Sequence, residues 1–425
     1  MFKIAAATLL ALGLAMPAVA EITAIRAGRV ITDAAQPARG ASTILVENGR
    51  IIEINDAAAA LPAGAKVIDL SGKTVMPGLI DAHVHLTGTP DSQFWQEAVT
   101  TDEYSVAVGL ANAATTLRAG FTTVRDLGSG RLSGFAVRDA IANGIATGPR
   151  TLVSGPAISI IGGHGDVSGY RPEVNAALAM GNTCTGAEQC AARVREASRA
   201  GVDVIKMTAT GGVLSQQARG LGQHFTDAEM RAIVTTAHGL GLKVAAHAHG
   251  ARGIEAAANA GVDSIEHGTF ADAAAIQAMV NNKTWYVPTL MAMVGIEERL
   301  GKGTYTPVVE AKIRETLAQR GKALAAAIKA GVRIAYGTDS AVYAHGRNGE
   351  EAAQMVKYAG MSPRAVLVSA TSGAAELLGV AAETGTLAVG KSADLIAVDG
   401  DPFADVSVVE KPRFVMAKGK AVALQ

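Results

Sequence analysis

Eight short apolar segments, each followed by an alanine-rich stretch with helical spacing, run through the middle of the chain at residues 78–86, 122–127, 151–157, 202–208, 243–249, 264–268, 285–290 and 333–340. Short apolar runs alternating with amphipathic helices are the mark of repeated βα units and a parallel sheet. One helix is expected over residues 227–240, with Thr226 at its N-cap and Gly241 after its end; another is expected over residues 308–330, before Gly331. Eight such units suggest a closed (β/α)₈ barrel, although a doubly wound open sheet carries the same alternation. The period alone leaves both open.

The ends have a different texture. Residues 25–32, 42–46, 50–54 and 67–70 read as short β segments, with turns at Asn48-Gly49 and Ser71-Gly72. Residues 385–387, 395–398, 414–418 and 421–424 read the same way. A chain of 425 residues exceeds what one core usually supports, so a large body with a smaller companion is expected. Residues 1–20 have the pattern of a secretory signal: Lys3, an apolar run over residues 4–16, Pro17, then Ala18-Val19-Ala20. That run is shorter than the ~20 residues a spanning helix requires. A secreted or periplasmic protein with no membrane association after signal removal is therefore expected. Cys184 and Cys190 would then either close a short loop or stand as a thiol pair, and neither looks catalytic. With 38 basic and 38 acidic residues and 49% hydrophobic content, the chain is neither disordered nor an electrostatic binder of nucleic acid.

Chemistry-bearing residues fall at the C-terminal ends of the expected strands, where a barrel gathers its site. In Asp81-Ala82-His83-Val84-His85, residues two apart on a strand face the same side, so His83 and His85 can present both imidazoles to one metal. Lys206 lies inside the apolar run Val204-Ile205-Lys206-Met207. A buried ammonium needs neutralising, either by an acid or by reaction with carbon dioxide to a carbamate able to bridge two cations. His247 and His249 end the fifth strand, His267 the sixth, and Asp339 the eighth. An aspartate there can bind a metal and accept a proton.

Pro77-Gly78-Leu79-Ile80-Asp81-Ala82-His83-Val84-His85, Lys206, His247, His267, Gly337-Thr338-Asp339 and Gly390-Lys391-Ser392-Ala393-Asp394-Leu395 together resemble the metal-dependent amidohydrolase superfamily over nearly the whole mature chain. The resemblance implies a (β/α)₈ TIM barrel over residues 76–381 and a small β-sandwich domain formed by residues 21–75 and 382–425. It implies two divalent cations, taken as Zn²⁺, with His83, His85 and Asp339 holding one, His247 and His267 the other, and carboxylated Lys206 bridging them. His249 then falls to a catalytic or substrate-facing role. Residues 120–126, 162–166 and 207–215, and Thr338-Asp339-Ser340 with His345-Gly346, extend the likeness to prolidase-like peptidases and ochratoxin-hydrolysing amidohydrolases.

That likeness implies hydrolysis of the amide joining an acyl group to a C-terminal amino acid in dipeptides or N-acyl amino acids, a class that extends to ochratoxin A. It also implies a homo-oligomer. His164, Val213, Leu214, Tyr286 and His345 are the expected substrate contacts. Arg347 is either a partner for the substrate carboxylate or a solvated surface residue. The competing expectations are a cyclic-amide hydrolase similar to imidazolonepropionase and a catalytically silent periplasmic binding protein.

Overall fold

The computed structural model describes residues 21–90, 94–215 and 220–424. The signal read in residues 1–20 lies outside the described residues. Four strands open the fold: β1 (Thr23–Val30), β2 (Ser42–Glu47), β3 (Arg50–Asp56) and β4 (Lys66–Pro77). Seven follow among the helices: β5 (Leu79–Val84), β6 (Phe121–Asp126), β7 (Arg150–Val153), β8 (Val204–Thr208), β9 (Lys243–Ala248), β10 (Ser264–His267) and β11 (Trp285–Val287). The chain closes with β12 (Leu395–Val398), β13 (Phe414–Ala417) and β14 (Lys420–Ala421).

The central strands form two parallel sheets, β5-β6-β7 and β8-β9-β10-β11. Backbone bonds join them into a ring. Asp203 N donates to Val153 O at 2.8 Å, and Ile158 pairs with Met207. Residues 333–340 fill the remaining gap, pairing Ile334 with Tyr286 on one side and Ser340 with Val84 on the other. Among the described residues the sheet has no open edge, so the architecture is a TIM-barrel-like α/β fold and the doubly wound alternative falls away. The expected eighth strand is held by isolated bridges rather than a regular ladder, because Asp339 (φ 61°) and Ala341 (φ 105°) leave the extended region.

Both chain ends contribute to one further sheet of order β14-β13-β12-β4-β1-β2-β3. β1 and β4 are parallel and the other neighbours antiparallel. Ile25, Ile44, Ile51, Val75, Leu395 and Met416 form its buried apolar cluster. β4 continues through Ser71-Gly72, where the sequence suggests a turn. Gly28 makes this possible, since a Cβ there would lie 2.1 Å from the Ser71 carbonyl oxygen. Gly78 alone separates β4 from β5, and its N–H donates to Asp394 O at 2.9 Å. The Asp394 carboxylate also accepts from Lys418 N and pairs with Arg150, tying the terminal sheet to the barrel.

The helix expected over 227–240 is Asp227–Gly239, opened by a capping box between Thr226 and Glu229. The one expected over 308–330 is instead two helices, Pro307–Leu317 and Lys322–Lys329. They break at Gly321 (φ 74°), packed so closely on Tyr358 that a Cβ would meet its carbonyl oxygen at 2.4 Å. Cys184 and Cys190 are joined as a disulfide. No helix among the described residues is long and apolar enough to cross a membrane.

Candidate active site

The strand ends place His83, His85, Lys206, His247, His249, His267 and Asp339 on the wall of one cavity of about 900 Å³. Six of the nine histidines pack against one another there, with ring centroids 4.2 Å apart for His164 and His247, 4.7 Å for His247 and His267, and 5.0 Å for His83 and His267. Two sets of potential ligand atoms converge within 4.8 Å: His83, His85 and Asp339 in one, His247, His249 and His267 in the other. In the first set, Asp339 Oδ1 lies 3.1 Å from His85 Nε2 and 3.5 Å from His83 Nε2.

Each of these imidazoles has one nitrogen committed to the protein. His83 Nδ1 donates to Glu266 Oε2 at 2.8 Å and His85 Nδ1 to Gly128 O at 2.9 Å, which directs the Nε2 lone pair of each toward Asp339. His247 is reversed, its Nε2 lying 3.3 Å from Gly211 O, so Nδ1 carries its free lone pair. His249 Nδ1 meets Thr269 Oγ1 at 2.9 Å and His267 Nδ1 meets Thr289 Oγ1 at 2.7 Å. One nitrogen anchored and one free is the arrangement metal-binding histidines require. The donor set of neutral imidazoles and a carboxylate suits zinc or a similar divalent ion.

Below the histidines runs a buried polar layer. Glu266 Oε1 accepts from Arg125 Nη2 at 3.0 Å and from Ser264 Oγ at 2.5 Å, while Arg125 Nε donates to Ala82 O at 2.6 Å. Asp81 accepts from the backbone N–H groups of His83 and Thr338, from Thr338 Oγ1 at 2.6 Å and from Asn348 Nδ2 at 2.8 Å. It thereby fastens the first ligand strand to the turn carrying Asp339. His267 (φ 71°) and Asp339 (φ 61°) both hold left-handed backbone conformations that non-glycine residues rarely adopt. Such strain is retained where surrounding contacts over-determine it.

Electrostatics follow from burial and these partners. Burial alone would raise Glu266, but Arg125 and His83 outweigh it and hold the carboxyl down at about 2. Burial also opposes ionisation of Asp339, and the bond from His85 with the nearby His83 and His267 imidazoles holds it well below the usual carboxylate range. Burial pushes His247 and His267 well below the normal imidazole value, and His249 down to about 4, so all three favour the neutral imidazole. Lys206 is 4% exposed and makes no hydrogen bond or ion pair among the described residues; burial lowers its ammonium to about 8.

Of the expected substrate contacts, His164, Val213 and Leu214 line the cavity. His249, assigned by sequence to a catalytic or substrate-facing role, stands in the second ligand cluster. Tyr286 and His345 are not on the cavity wall. The Tyr286 hydroxyl donates to His267 O at 2.9 Å and Gly268 O at 3.1 Å, so it supports the left-handed turn from beneath. His345 Nδ1 turns to Thr116 Oγ1 at 3.3 Å. Arg347 is spent on Glu298 and Glu350, the surface reading of that residue. Residues that sequence reasoning gave no role are Glu266, Arg125, Thr269 and Thr289. The first two lie in strands of mixed character, Phe121–Asp126 and Ser264–His267, so only their burial sets them apart.

The family model described as "Amidohydrolase family" matches residues 74–422. Ochratoxinase of Aspergillus niger is 32% identical over 417 residues, covering 93% of this chain and 85% of that protein. Among solved structures, a Xaa-Pro dipeptidase with methionine bound in its active site superimposes with a TM-score of 0.87 at 35% identity, over 94% of this chain and 99% of that one. A prolidase complexed with N-methylphosphonate-L-proline gives a TM-score of 0.86 at 31% identity, over 95% of this chain and 100% of that one.

Proposed function

The chain belongs to the amidohydrolase family, and on that premise we propose that it is a binuclear metal hydrolase that cleaves the amide bond to a C-terminal amino acid. The observation that carries the reading is the convergence of two three-residue ligand clusters, with Lys206, on one cavity. The substrates are dipeptides or N-acyl amino acids. Ochratoxin A falls within that class, as the ochratoxinase relative suggests. Val167, Leu178, Met180, Val213, Met293 and Ile296 give the cavity an apolar wall for the acyl group. With Arg347 committed elsewhere, Arg131, whose Nη2 donates to Ala177 O and Ala179 O, is a guanidinium on that wall whose other N–H groups can meet the substrate carboxylate.

His83, His85 and Asp339 would hold one cation, and His247 and His267 the other, with His249 also placed to ligate or to face the substrate carbonyl. Lys206 would bridge. Its neutral amine adds to carbon dioxide, forming an N–C bond and releasing one proton, which removes the unpaired buried ammonium. Two divalent cations, when bound, would polarise the scissile carbonyl and make water acidic enough to react at neutral pH. Asp339 collects the water's proton and delivers it to the departing amine. His249 hydrogen-bonds the carbonyl oxygen as negative charge grows on it.

The proposal extends to the whole protein. Residues 21–75 and 382–425 form a β-sandwich domain and residues 76–381 the catalytic barrel, assembled as a homo-oligomer. Export is supported by the Cys184–Cys190 bridge, which an oxidising compartment sustains. The test is a panel of C-terminal dipeptides, N-acyl amino acids, small lactams and ochratoxin A, assayed with and without chelator. Release of the C-terminal amino acid that is abolished by chelator and restored by Zn²⁺ is expected. Turnover confined to lactams, or indifferent to chelator, would overturn the reading.

A further inference from the structure

Lys312 is a buried lysine that the mechanism does not use. It lies on helix Pro307–Leu317, is 7% exposed, and its ammonium donates to Gly212 O at 2.9 Å and Ser215 O at 2.6 Å. No carboxylate pairs with it among the described residues. An ammonium held indoors by carbonyls alone is costly, so a neutral apolar residue would be expected unless those carbonyls must be held.

The two gripped carbonyls bracket Val213 and Leu214, both on the cavity wall. Ser215 Oγ also meets His164 Nδ1 at 2.7 Å. Gly212 lies so close to the His164 ring that a Cβ would come within 2.3 Å of it. Residues 211–215 are therefore clasped between Lys312 on one side and His164 and His247 on the other. The same helix supplies Val309 and Ile313 to the apolar cluster behind Val213 and Leu214.

We propose that Lys312 is a positioning residue that sets specificity: by fixing the Gly212 and Ser215 carbonyls it orients the Val213–Leu214 wall and His164, and so decides which acyl groups the cavity accepts. It touches neither substrate nor metal. This rests on the cavity being the substrate site. A lysine suits the task because its stem reaches from the helix to the loop and its head offers three donors, two of which are used.

The test compares wild type, Lys312→Met and Ser215→Ala, each loaded with Zn²⁺. Metal content is measured by elemental analysis, and affinity for N-methylphosphonate-L-proline by calorimetry. KM and kcat are measured across N-acyl amino acids of different acyl size. Lys312→Met is expected to weaken phosphonate binding and raise KM about tenfold, to change the order of acyl preference, and to leave metal content and kcat much less affected. Ser215→Ala, which cuts only the link to His164, should show about a threefold effect of the same kind. A folded Lys312→Met that binds the phosphonate as wild type does overturns the proposal, as does one that loses metal in step with affinity. Should Lys312→Met fail to fold, unchanged affinity in Ser215→Ala overturns it. Wild type that binds the phosphonate but hydrolyses no amide refutes the enzymatic reading alone; wild type that does not bind it refutes both.

Discussion

Glu266 Oε2 stands 2.8 Å from Nδ1 of His83, with both side chains at most 1% exposed, and this contact decides which nitrogen of His83 is free for a metal. Because Arg125 grips the other carboxylate oxygen, the histidine is oriented by a charged layer fixed across the barrel. Glu266→Gln should weaken binding of one of the two cations about 10- to 100-fold and leave the other much less affected. It should also destabilise the fold by about 3 kcal/mol, since Arg125 loses its counter-charge. Competition with a chromophoric chelator, below the melting temperature, reads the first effect; two unchanged affinities would dismiss the positioning role.

Asp339 Oδ1 stands 3.1 Å from His85 Nε2 and 3.5 Å from His83 Nε2, and in the proposed mechanism it takes the water's proton. Asp339→Asn keeps the size of the side chain but removes the base. A fall in kcat of at least about 100-fold is expected, with the circular dichroism spectrum unchanged. A near-normal rate would reject the assignment.

Lys206 sits among the ligands with no direct counter-ion. Lys206→Ala should retain the fold, since it replaces a buried polar group with a small apolar one, while bound metal falls below two per chain and most activity disappears. Elemental analysis of the purified variant decides: full metal content together with full turnover would exclude a bridging carbamate.

The Cys184–Cys190 bridge closes a short loop beside a segment that orders the cavity wall. Cys184 N donates to Ser159 O at 3.0 Å, and Asn182 Nδ2 holds Ala157 O at 2.6 Å and Gly165 O at 2.7 Å, next to His164. Replacing both cysteines with serine should cost about 2 kcal/mol through restored loop entropy, read as a lower denaturant midpoint. An unchanged midpoint would mean that the surrounding hydrogen bonds alone hold the loop.

The candidate site was legible because a strand's two-residue alternation fixes the side on which His83 and His85 emerge, and because Lys206 is conspicuous in an apolar run. Closure of the barrel was not legible from the period, since it depends on residues 333–340 bridging to β5 and β11. The convergence of His249 on His247 and His267 was not legible for a similar reason. Whether a second imidazole on one strand reaches the same point depends on Thr269 of the neighbouring strand's loop turning it. Tyr286 misled because an aromatic residue at a strand end looks like a pocket wall, whereas its hydroxyl serves the backbone of the preceding strand. The single helix expected over residues 308–330 failed at Gly321, where packing on Tyr358 outweighs the helical periodicity on either side.

β4 finds its antiparallel neighbour in β12, with Val75 opposite Ala397. Nearly the whole polypeptide must therefore be made before this pairing can form, and until then β4 carries a bare edge. Contacts so distant in sequence are slow to assemble and leave intermediates prone to sticking. Under the proposed export, a chain threaded through a translocation channel before it folds would meet this demand, because the late arrival of its last strands would coincide with release on the far side.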